Sequence, residues 1–242
     1  MKIHIFYRHF NISGNERKGR LSQNNLTGRP DWFDFEKCFT NLLSTIENKN
    51  VDLHVVFDGD VKDNFIKKYS NKYTLHSIKA GNDQSSFWQT WGIVKNLNIP
   101  DTDLIYFWEN DYLHTQDWVE KTLDIFQTFA GLNYISLYDH NDKYFLPMYE
   151  DLTSKIFSTN KHHWRTTPST CGSFIIPKNI FEEDFKEHTE IKGDHNKFLH
   201  LTQTKNRFIL TPIPGLSTHC MEGLLSPTVN WLQISHYSYY KL

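Results

Sequence analysis

Three features are scarce in this chain of 242 residues. Its three cysteines, Cys38, Cys171 and Cys220, have no CxxC spacing, which argues against a disulfide framework and a thiolate zinc site. Its 26 Lys and Arg residues stand against 28 Asp and Glu residues, so it has no positive surplus for a nucleic-acid backbone. No apolar run approaches the roughly 18 residues of a membrane span, and the apolar start is too short for a signal sequence. We therefore expect a cytoplasmic protein in a reducing compartment, without a nucleic-acid partner.

Aromatic residues, in contrast, are abundant. They make up 15% of the chain, with seven Trp, twelve Tyr and eighteen Phe, although all apolar residues together reach only 38%. Rings must therefore supply a large share of the core or of a binding surface. Those that fall on apolar stripes are predicted to be core: Phe35, Phe39, Phe87, Trp91, Tyr106 and Phe107.

Strands and helices alternate in the first 139 residues. KIHIFY, VDLHVVFDGD and LIYFWEND are typical of short buried strands, and apolar spacing predicts helices over 33–46, 85–97 and 118–129, the last capped by Asp117. This order predicts an α/β fold with a mostly parallel central sheet flanked by helices, whose ligands bind beyond the carboxyl ends of the strands. The polar stretch from Asn11 to Pro30 is long for a connection, and we expect it to be functional or mobile.

The second half of the chain has shorter extended pieces and a helix predicted over 194–204. It contains no linker, repeat or low-complexity tract, so we expect it to complete the same sheet and to form a second wall over the site. The prediction is one domain over 1–242, with halves 1–139 and 140–242.

The most informative local motif is FWENDYLH. Its strand, apolar from Leu104 to Trp108, is predicted to bring Glu109 and Asp111 to the ligand edge of the sheet. Two carboxylates at such an edge suit Mg²⁺ or Mn²⁺ holding a diphosphate. The same two acids could also simply end a strand and begin a turn.

The segments YFWENDYLH, YISLYDHNDKY and PIPGLSTHCMEGLLSPTVNW resemble a family of small bacterial and phage glycosyltransferase-like proteins with an EDDYLH core. More broadly, the strand, acidic tripeptide, helix and late histidine resemble nucleotide-sugar-dependent glycosyltransferases of the Rossmann-like GT-A fold. The resemblance covers most of the chain and implies a nucleotide-binding half (1–139) and an acceptor-binding half (140–242). Asn110 departs from it, because the family has an acid there.

The resemblance implies a metal site. Asp111 would bind a divalent metal that bridges the diphosphate, Glu109 would assist through the ribose or a metal-bound water, and His219 would be the remaining protein ligand. An imidazole with two carboxylates suits Mn²⁺ better than Mg²⁺. His219 could instead be a hydrogen-bonded loop histidine.

The resemblance also implies nucleotide contacts. Asp58, at the end of the second predicted strand, could accept a hydrogen bond from a ring N–H of uracil or guanine and would help to select the base. A UDP-sugar is the favoured donor, and a GDP-sugar is the alternative. Tyr7 and Arg8 would flank the base or a phosphate, and Asn82 and Asn110 would contact the nucleotide. Asp58 could equally be a turn residue, and the helix after Asn82 could be capped rather than bind phosphate.

A transfer with inversion needs a base for the acceptor hydroxyl. Asp194 heads a predicted helix where many inverting GT-A enzymes hold this base, although it could be an ordinary N-cap. Asp139, beside His140, is the competing choice and a candidate acceptor contact. Trp164, among small polar residues, is the second candidate acceptor contact.

The leading hypothesis is a metal-dependent glycosyltransferase that moves a sugar from a nucleoside-diphosphate sugar to a hydroxyl of a glycan or other acceptor. A nucleotidyltransferase is an alternative, although the usual glycine-rich, lysine-bearing phosphate loop after the first strand is missing. A non-catalytic nucleotide-sugar or glycan-binding protein is another. The rings outside the apolar stripes are expected to stack on sugars or on the nucleobase. They are Trp32, Tyr112, Trp164, Trp231 and those of the 237–240 tail.

Overall fold

The computed structural model describes residues 1–11 and 28–237. Most of the predicted functional or mobile stretch and the end of the aromatic tail lie outside these residues. The chain forms two compact units, which both draw on the two predicted halves. The first unit consists of 1–11, 50–110 and 169–207, and the second of the described parts of 12–49, 111–168 and 208–242. The single domain with halves meeting at residue 139 stays a prediction.

The elements run in the following chain order. The strands are β1 Ile3–Phe10, β2 Val51–Asp58, β3 Thr74–Ile78, β4 Leu104–Glu109, β5 Tyr112–His114, β6 Tyr134–Ile135, β7 Ile156–Ser158, β8 His163–Thr166, β9 Phe174–Pro177, β10 Ile209–Ile213 and β11 Ser217–His219. The α-helices are α1 Phe35–Ile46, α2 Asp83–Asn96, α3 Trp118–Thr128, α4 Lys178–Glu183, α5 Phe185–Glu190, α6 Asp194–Gln203 and α7 Trp231–Tyr237. Short 3₁₀ turns cover Val61–Asp63, Phe65–Tyr69, Asn141–Tyr144 and Pro147–Tyr149.

The predicted helices are confirmed to within two residues, and their caps explain where two of them begin. Asp34 accepts a hydrogen bond from the backbone N–H of Lys37, and Asn82 accepts one from that of Ser85. Asp117 occupies the predicted N-cap position of α3, but its side chain makes no capping hydrogen bond. Its carboxylate instead accepts from Thr115 and pairs with Lys121.

The first unit orders its strands β3-β2-β1-β4-β9. β1 to β4 pair in parallel, and β9 runs antiparallel to β4. Arg8 is level with Glu109, and Phe10 is level with Asp58. The carboxyl ends of these parallel strands therefore meet at one edge, as the sequence predicted.

The second unit orders its strands β6-β10-β8-β7 and has a separate antiparallel ribbon of β11 and β5. β10 is parallel to β6 but antiparallel to β8, and β7 is antiparallel to β8. The α/β prediction is confirmed, and the parallel pairing that it expected dominates the first unit but not the second. Among the described residues, no helix is both long enough and apolar enough to span a membrane.

Most aromatic rings serve packing. The six rings predicted as core are all buried. Of those predicted to stack on ligands, Tyr112, Trp164 and Trp231 are also buried, with at most 2% of each residue exposed. Trp32 is half-buried and packs against the cluster of Cys38, Leu113, Cys220 and Trp231. The surplus of rings is therefore explained mainly by the cores of the two units.

Candidate functional site

The second unit brings Asp111 and His219 together. Asp111 immediately precedes β5 and His219 ends β11, and in this ribbon Tyr112 is level with His219. The backbone N–H of Cys220 donates to the carbonyl of Asp111 over 2.9 Å, which fixes the two segments side by side. His219 Nε2 then lies 3.0 Å from Asp111 Oδ2, and its ring stacks on Tyr112 at 5.2 Å. The sequence named both residues, but pairing between distant segments is what makes them neighbours.

Arg29 completes this group, which we call the Asp111 cluster (Arg29, Asp111 and His219). Its Nη2 donates to Asp111 Oδ2 over 2.6 Å, and its Nη1 donates to the Cys220 carbonyl over 2.8 Å. Sequence reasoning missed Arg29, because it lies near the end of a polar stretch without periodicity. Its position next to Pro30, where the chain leaves that stretch, was the only available signal.

The cluster controls the ionisation of Asp111. Burial by itself would raise the pKa of this carboxyl group, but the nearby His219 and Arg29 hold its pKa well below the ordinary value. Because an ionised carboxylate only accepts hydrogen bonds, His219 Nε2 must carry a proton in this contact. Asp111 is therefore a buried carboxylate that already has cationic and hydrogen-bonding partners.

The Asp111–His219 pair offers two potential ligand atoms for a divalent metal. Two adjacent ligands of an octahedral ion, each about 2.1 Å from it, are about 3.0 Å apart. The 3.0 Å between His219 Nε2 and Asp111 Oδ2 is compatible with that spacing and is also the length of an ordinary hydrogen bond. In the part of the chain that the structure describes, no three His, Cys, Asp or Glu residues form a group that could hold a metal ion. Phosphate and water oxygens would have to supply the other ligands, as is common for Mg²⁺.

Glu109 contacts residues of the first unit. We call them the Glu109 cluster: Arg8, Asp83, Phe87, Glu109 and Ser173. Arg8 Nη2 lies 3.3 Å from Glu109 Oε1, and its Nη1 donates to Asp83 over 2.9 Å. The Arg8 guanidinium lies 3.3 Å from the centroid of the Phe87 ring, and Ser173 accepts from the Glu109 backbone N–H. Glu109 and Arg8 are thus charge partners, and their roles towards metal and nucleotide stay predictions.

Asn110 is explained by a buried histidine. Its Nδ2 lies 2.8 Å from His9 Nδ1, and Asn64 Nδ2 lies 3.4 Å from His9 Nε2. Burial lowers the pKa of His9 to about 3, so its ring is neutral and can accept a hydrogen bond from the Asn110 amide. An Asp at position 110 would bring a negative charge into this buried site in place of the amide donor. This contact gives Asn110 a structural role in the first unit and occupies the amide predicted to contact a nucleotide.

Three other predicted nucleotide contacts have local structural roles. Both carboxylate oxygens of Asp58 accept backbone hydrogen bonds, from Ala80 and Gly81, each over 2.8 Å. Asp58 thereby holds the loop that leads into α2, and Asn82 is the N-cap of that helix. Tyr7 is fully buried and packs edge-to-face on Trp108, which speaks against a nucleobase contact.

Asp194 and Asp139, the two candidate bases, have different surroundings. Asp194 is the first residue of α6 rather than its cap, because Gly193 holds the cap position. Its carboxylate lies 3.2 Å from Lys197 Nζ, and its side chain is 35% exposed. Asp139 is 1% exposed, pairs with Arg165 over 2.7 Å and accepts from the Tyr144 hydroxyl over 2.8 Å. The buried ion pair speaks against Asp139 as a base or an acceptor contact.

Trp164 also has a structural environment. It is fully buried within the second unit, and its ring contacts His162 edge-to-face at 5.8 Å. A ring without an exposed face has no surface for a sugar to stack on. Its burial therefore speaks against the predicted acceptor contact.

The chain matches no family model and no curated protein in sequence. In structure, 87% of it is similar to S. aureus TarS 1–349, with a TM-score of 0.52 and 10% identity. The chain spans 58% of that protein. A protein described as a nucleotide-diphospho-sugar transferase, from Desulfovibrio desulfuricans G20, gives a TM-score of 0.50 at 11% identity, with 87% of this chain and 80% of that protein covered.

A third similar structure is a CMP:2-keto-3-deoxy-manno-octonic acid synthetase in complex with CTP. Its TM-score is 0.51 at 12% identity, with 89% of this chain and 92% of that protein covered. At such identities the likeness concerns the fold alone. The chain therefore has the GT-A-like α/β fold found in a nucleotide-sugar transferase and in a CTP-binding synthetase.

Proposed function

We propose that the chain is a metal-dependent glycosyltransferase that moves a sugar from a nucleoside-diphosphate sugar, with UDP favoured, to a hydroxyl of a glycan or other acceptor. The observation that carries this proposal is the Asp111–His219 pair, whose 3.0 Å spacing suits two ligands of one ion in a chain with a GT-A-like fold. Mn²⁺, or Mg²⁺ in its place, would be held by these two residues and would stabilise the leaving diphosphate as a Lewis acid. We place the protein in the cytoplasm.

The residues around the pair prepare it for this role. Tyr112 stacks on the His219 ring and restricts its orientation, and the hydrogen bond from Cys220 fixes the backbone of Asp111. To bind a metal through Nε2, the neutral His219 ring must carry its proton on Nδ1.

Asp194 is our proposed base for an inverting transfer. Its side chain is 35% exposed, so an acceptor hydroxyl could reach the carboxylate. The Asp194→Asn variant should bind the donor normally but lose transfer to the acceptor. Full activity of this variant would refute the role of Asp194.

The first experiment is a panel of UDP-, GDP- and dTDP-sugars, assayed with Mn²⁺ for slow donor hydrolysis. We expect hydrolysis of one donor class, and its loss when EDTA removes the metal. Asp111→Asn should abolish Mn²⁺-dependent binding of the nucleotide. Asp151→Asn, which changes an exposed acid of the same unit, is the matched control and should bind as the parent does. Unchanged binding in Asp111→Asn would refute the metal assignment.

A nucleotidyltransferase is the second candidate, favoured by the coverage of 89% and 92% with the CTP-bound synthetase. Such an enzyme would transfer the nucleotidyl group of a nucleoside triphosphate to an acidic or phosphorylated sugar, and pyrophosphate would leave the triphosphate. Pyrophosphate release without donor hydrolysis would favour this candidate. Nucleotide-sugar binding without either reaction would instead indicate a non-catalytic binding protein.

A further inference from the structure

Arg29 occupies the oxygen that a metal would need. Its Nη2 is 2.6 Å from Asp111 Oδ2, the same oxygen that faces His219 Nε2 at 3.0 Å. Its Nη1 donates to the Cys220 carbonyl and also lies 3.4 Å from His219 Nε2. The guanidinium therefore lies directly beside both donor atoms of the proposed metal pair.

Arg29 and a divalent metal exclude each other at this position. A metal bound to Asp111 Oδ2 would lie about 2.1 Å from that oxygen, where the guanidinium already makes its shortest contact. Both groups are cations, and the site is largely buried, so their repulsion is weakly screened. A metal that binds through Oδ2 must therefore displace Arg29 from that oxygen.

The displaced guanidinium would have unused binding capacity. Arg29 faces one carboxylate and one neutral carbonyl, and its buried Nε has no hydrogen-bond partner among the described residues. The Phe33 ring, 4.6 Å from the guanidinium carbon, supports its planar face. A planar fork of N–H donors matches phosphate oxygens especially well. A diphosphate that arrives with the metal would offer Arg29 the anion that it loses at Asp111.

We propose that Arg29 is an internal counter-ion that couples metal binding to diphosphate binding: it pairs with Asp111 in the metal-free protein and with the nucleotide diphosphate once a metal is bound. This inference rests on the proposed metal site at Asp111 and His219. When the metal binds alone, the Arg29–Asp111 ion pair is lost and nothing replaces it. When the metal binds with a nucleoside diphosphate, Arg29 pairs with the diphosphate instead. Each ligand must increase the affinity for the other by the same factor.

Arg29→Gln tests the coupling, with Arg29→Lys as the matched variant that keeps the charge. Mn²⁺ binding is measured from the electron paramagnetic resonance signal of free Mn²⁺, with the metal alone, and UDP binding is measured by calorimetry at saturating Mn²⁺. We expect Arg29→Gln to bind Mn²⁺ alone at least about tenfold more tightly and UDP at least about tenfold more weakly than the parent. Arg29→Lys should lie between the parent and Arg29→Gln in both measurements.

The opposite directions of the two changes identify the coupling. A purely structural role for Arg29 would weaken both ligands together, and such a result would overturn the inference, as would unchanged Mn²⁺ affinity in Arg29→Gln. The parent protein by itself tests the proposed function: absence of Mn²⁺ binding even with UDP would refute the metal site and the inference with it. Binding by the parent without a difference in Arg29→Gln would refute the inference alone.

Discussion

Gly172 allows the backbone before β9 to pass close to the Glu109 cluster. A Cβ atom at this position would lie 2.3 Å from Phe87 Cζ and 3.1 Å from Glu109 Oε1. Since ordinary contacts of a Cβ begin at 3.4 Å, the tip of the Phe87 ring would have to move by about 1 Å. Phe87 has little room to move, because it is buried and the Arg8 guanidinium lies 3.3 Å from its centroid.

We predict that Gly172→Ala destabilises the protein. Adding a methyl group to a packed site costs about 1–3 kcal/mol, which for a chain of this size corresponds to a Tm lower by roughly 2–12 °C. Left-handed backbone strain does not contribute to this cost, because φ at Gly172 lies outside the left-handed region. The cost is therefore one of side-chain contact alone.

Gly92→Ala is the matched control. Gly92 lies inside α2 of the same unit, and a Cβ there would have no other heavy atom within 4 Å. Alanine favours a helix over glycine by about 1 kcal/mol, so this variant should raise Tm by about 2–4 °C. Thermal unfolding followed by circular dichroism measures both variants. A Tm of Gly172→Ala at or above that of the parent would refute the predicted close approach at Phe87 and Glu109.

Two further predictions concern the second unit and the thiols. Asp139→Asn should lower the free energy of unfolding by about 3–5 kcal/mol in urea titrations, because it leaves the buried Arg165 guanidinium without its anion; a loss below about 1 kcal/mol would contradict this. Under native conditions Cys171 should react with a disulfide reagent before Cys38 and Cys220, because the latter two are buried. Burial and the neighbouring Cys220 thiol also raise the pKa of Cys38. Equal rates for all three thiols would contradict that prediction.

The alternation of strands and helices in the first half could be predicted because it depends on local periodicity. β1, β2 and β4 contain short apolar runs, and α1 and α2 follow side-chain caps that are visible in the sequence. In the second half, strands such as β7 have only three residues, and antiparallel partners such as β8 and β10 are distant in sequence. Their pairing is decided by contacts that no local pattern contains.

The sequence does not reveal for every aromatic ring whether it is buried in a core or exposed to a ligand. A loop position suggested an exposed ring for Trp164 and Trp231, yet both are buried. Trp231 packs with Cys38, Leu113 and Cys220, residues that are distant from one another in the sequence. Sequence spacing reports burial only where one element supplies a whole apolar face, and these rings are buried by several elements together.

The acidic motif shows why the residues of a candidate site are easier to identify from the sequence than their arrangement in space. The rule that side chains two residues apart share a face holds within a strand, but β4 ends at Glu109 and β5 begins at Tyr112, with a turn between them. Glu109 has Arg8 as its charge partner, and Asp111 has Arg29. Each carboxylate of the motif is therefore neutralised by its own arginine before any ligand binds. If a metal binds at Asp111 as proposed, it replaces the Arg29 guanidinium there. Its affinity would then depend on where that guanidinium can go as well as on the carboxylates that the sequence reveals.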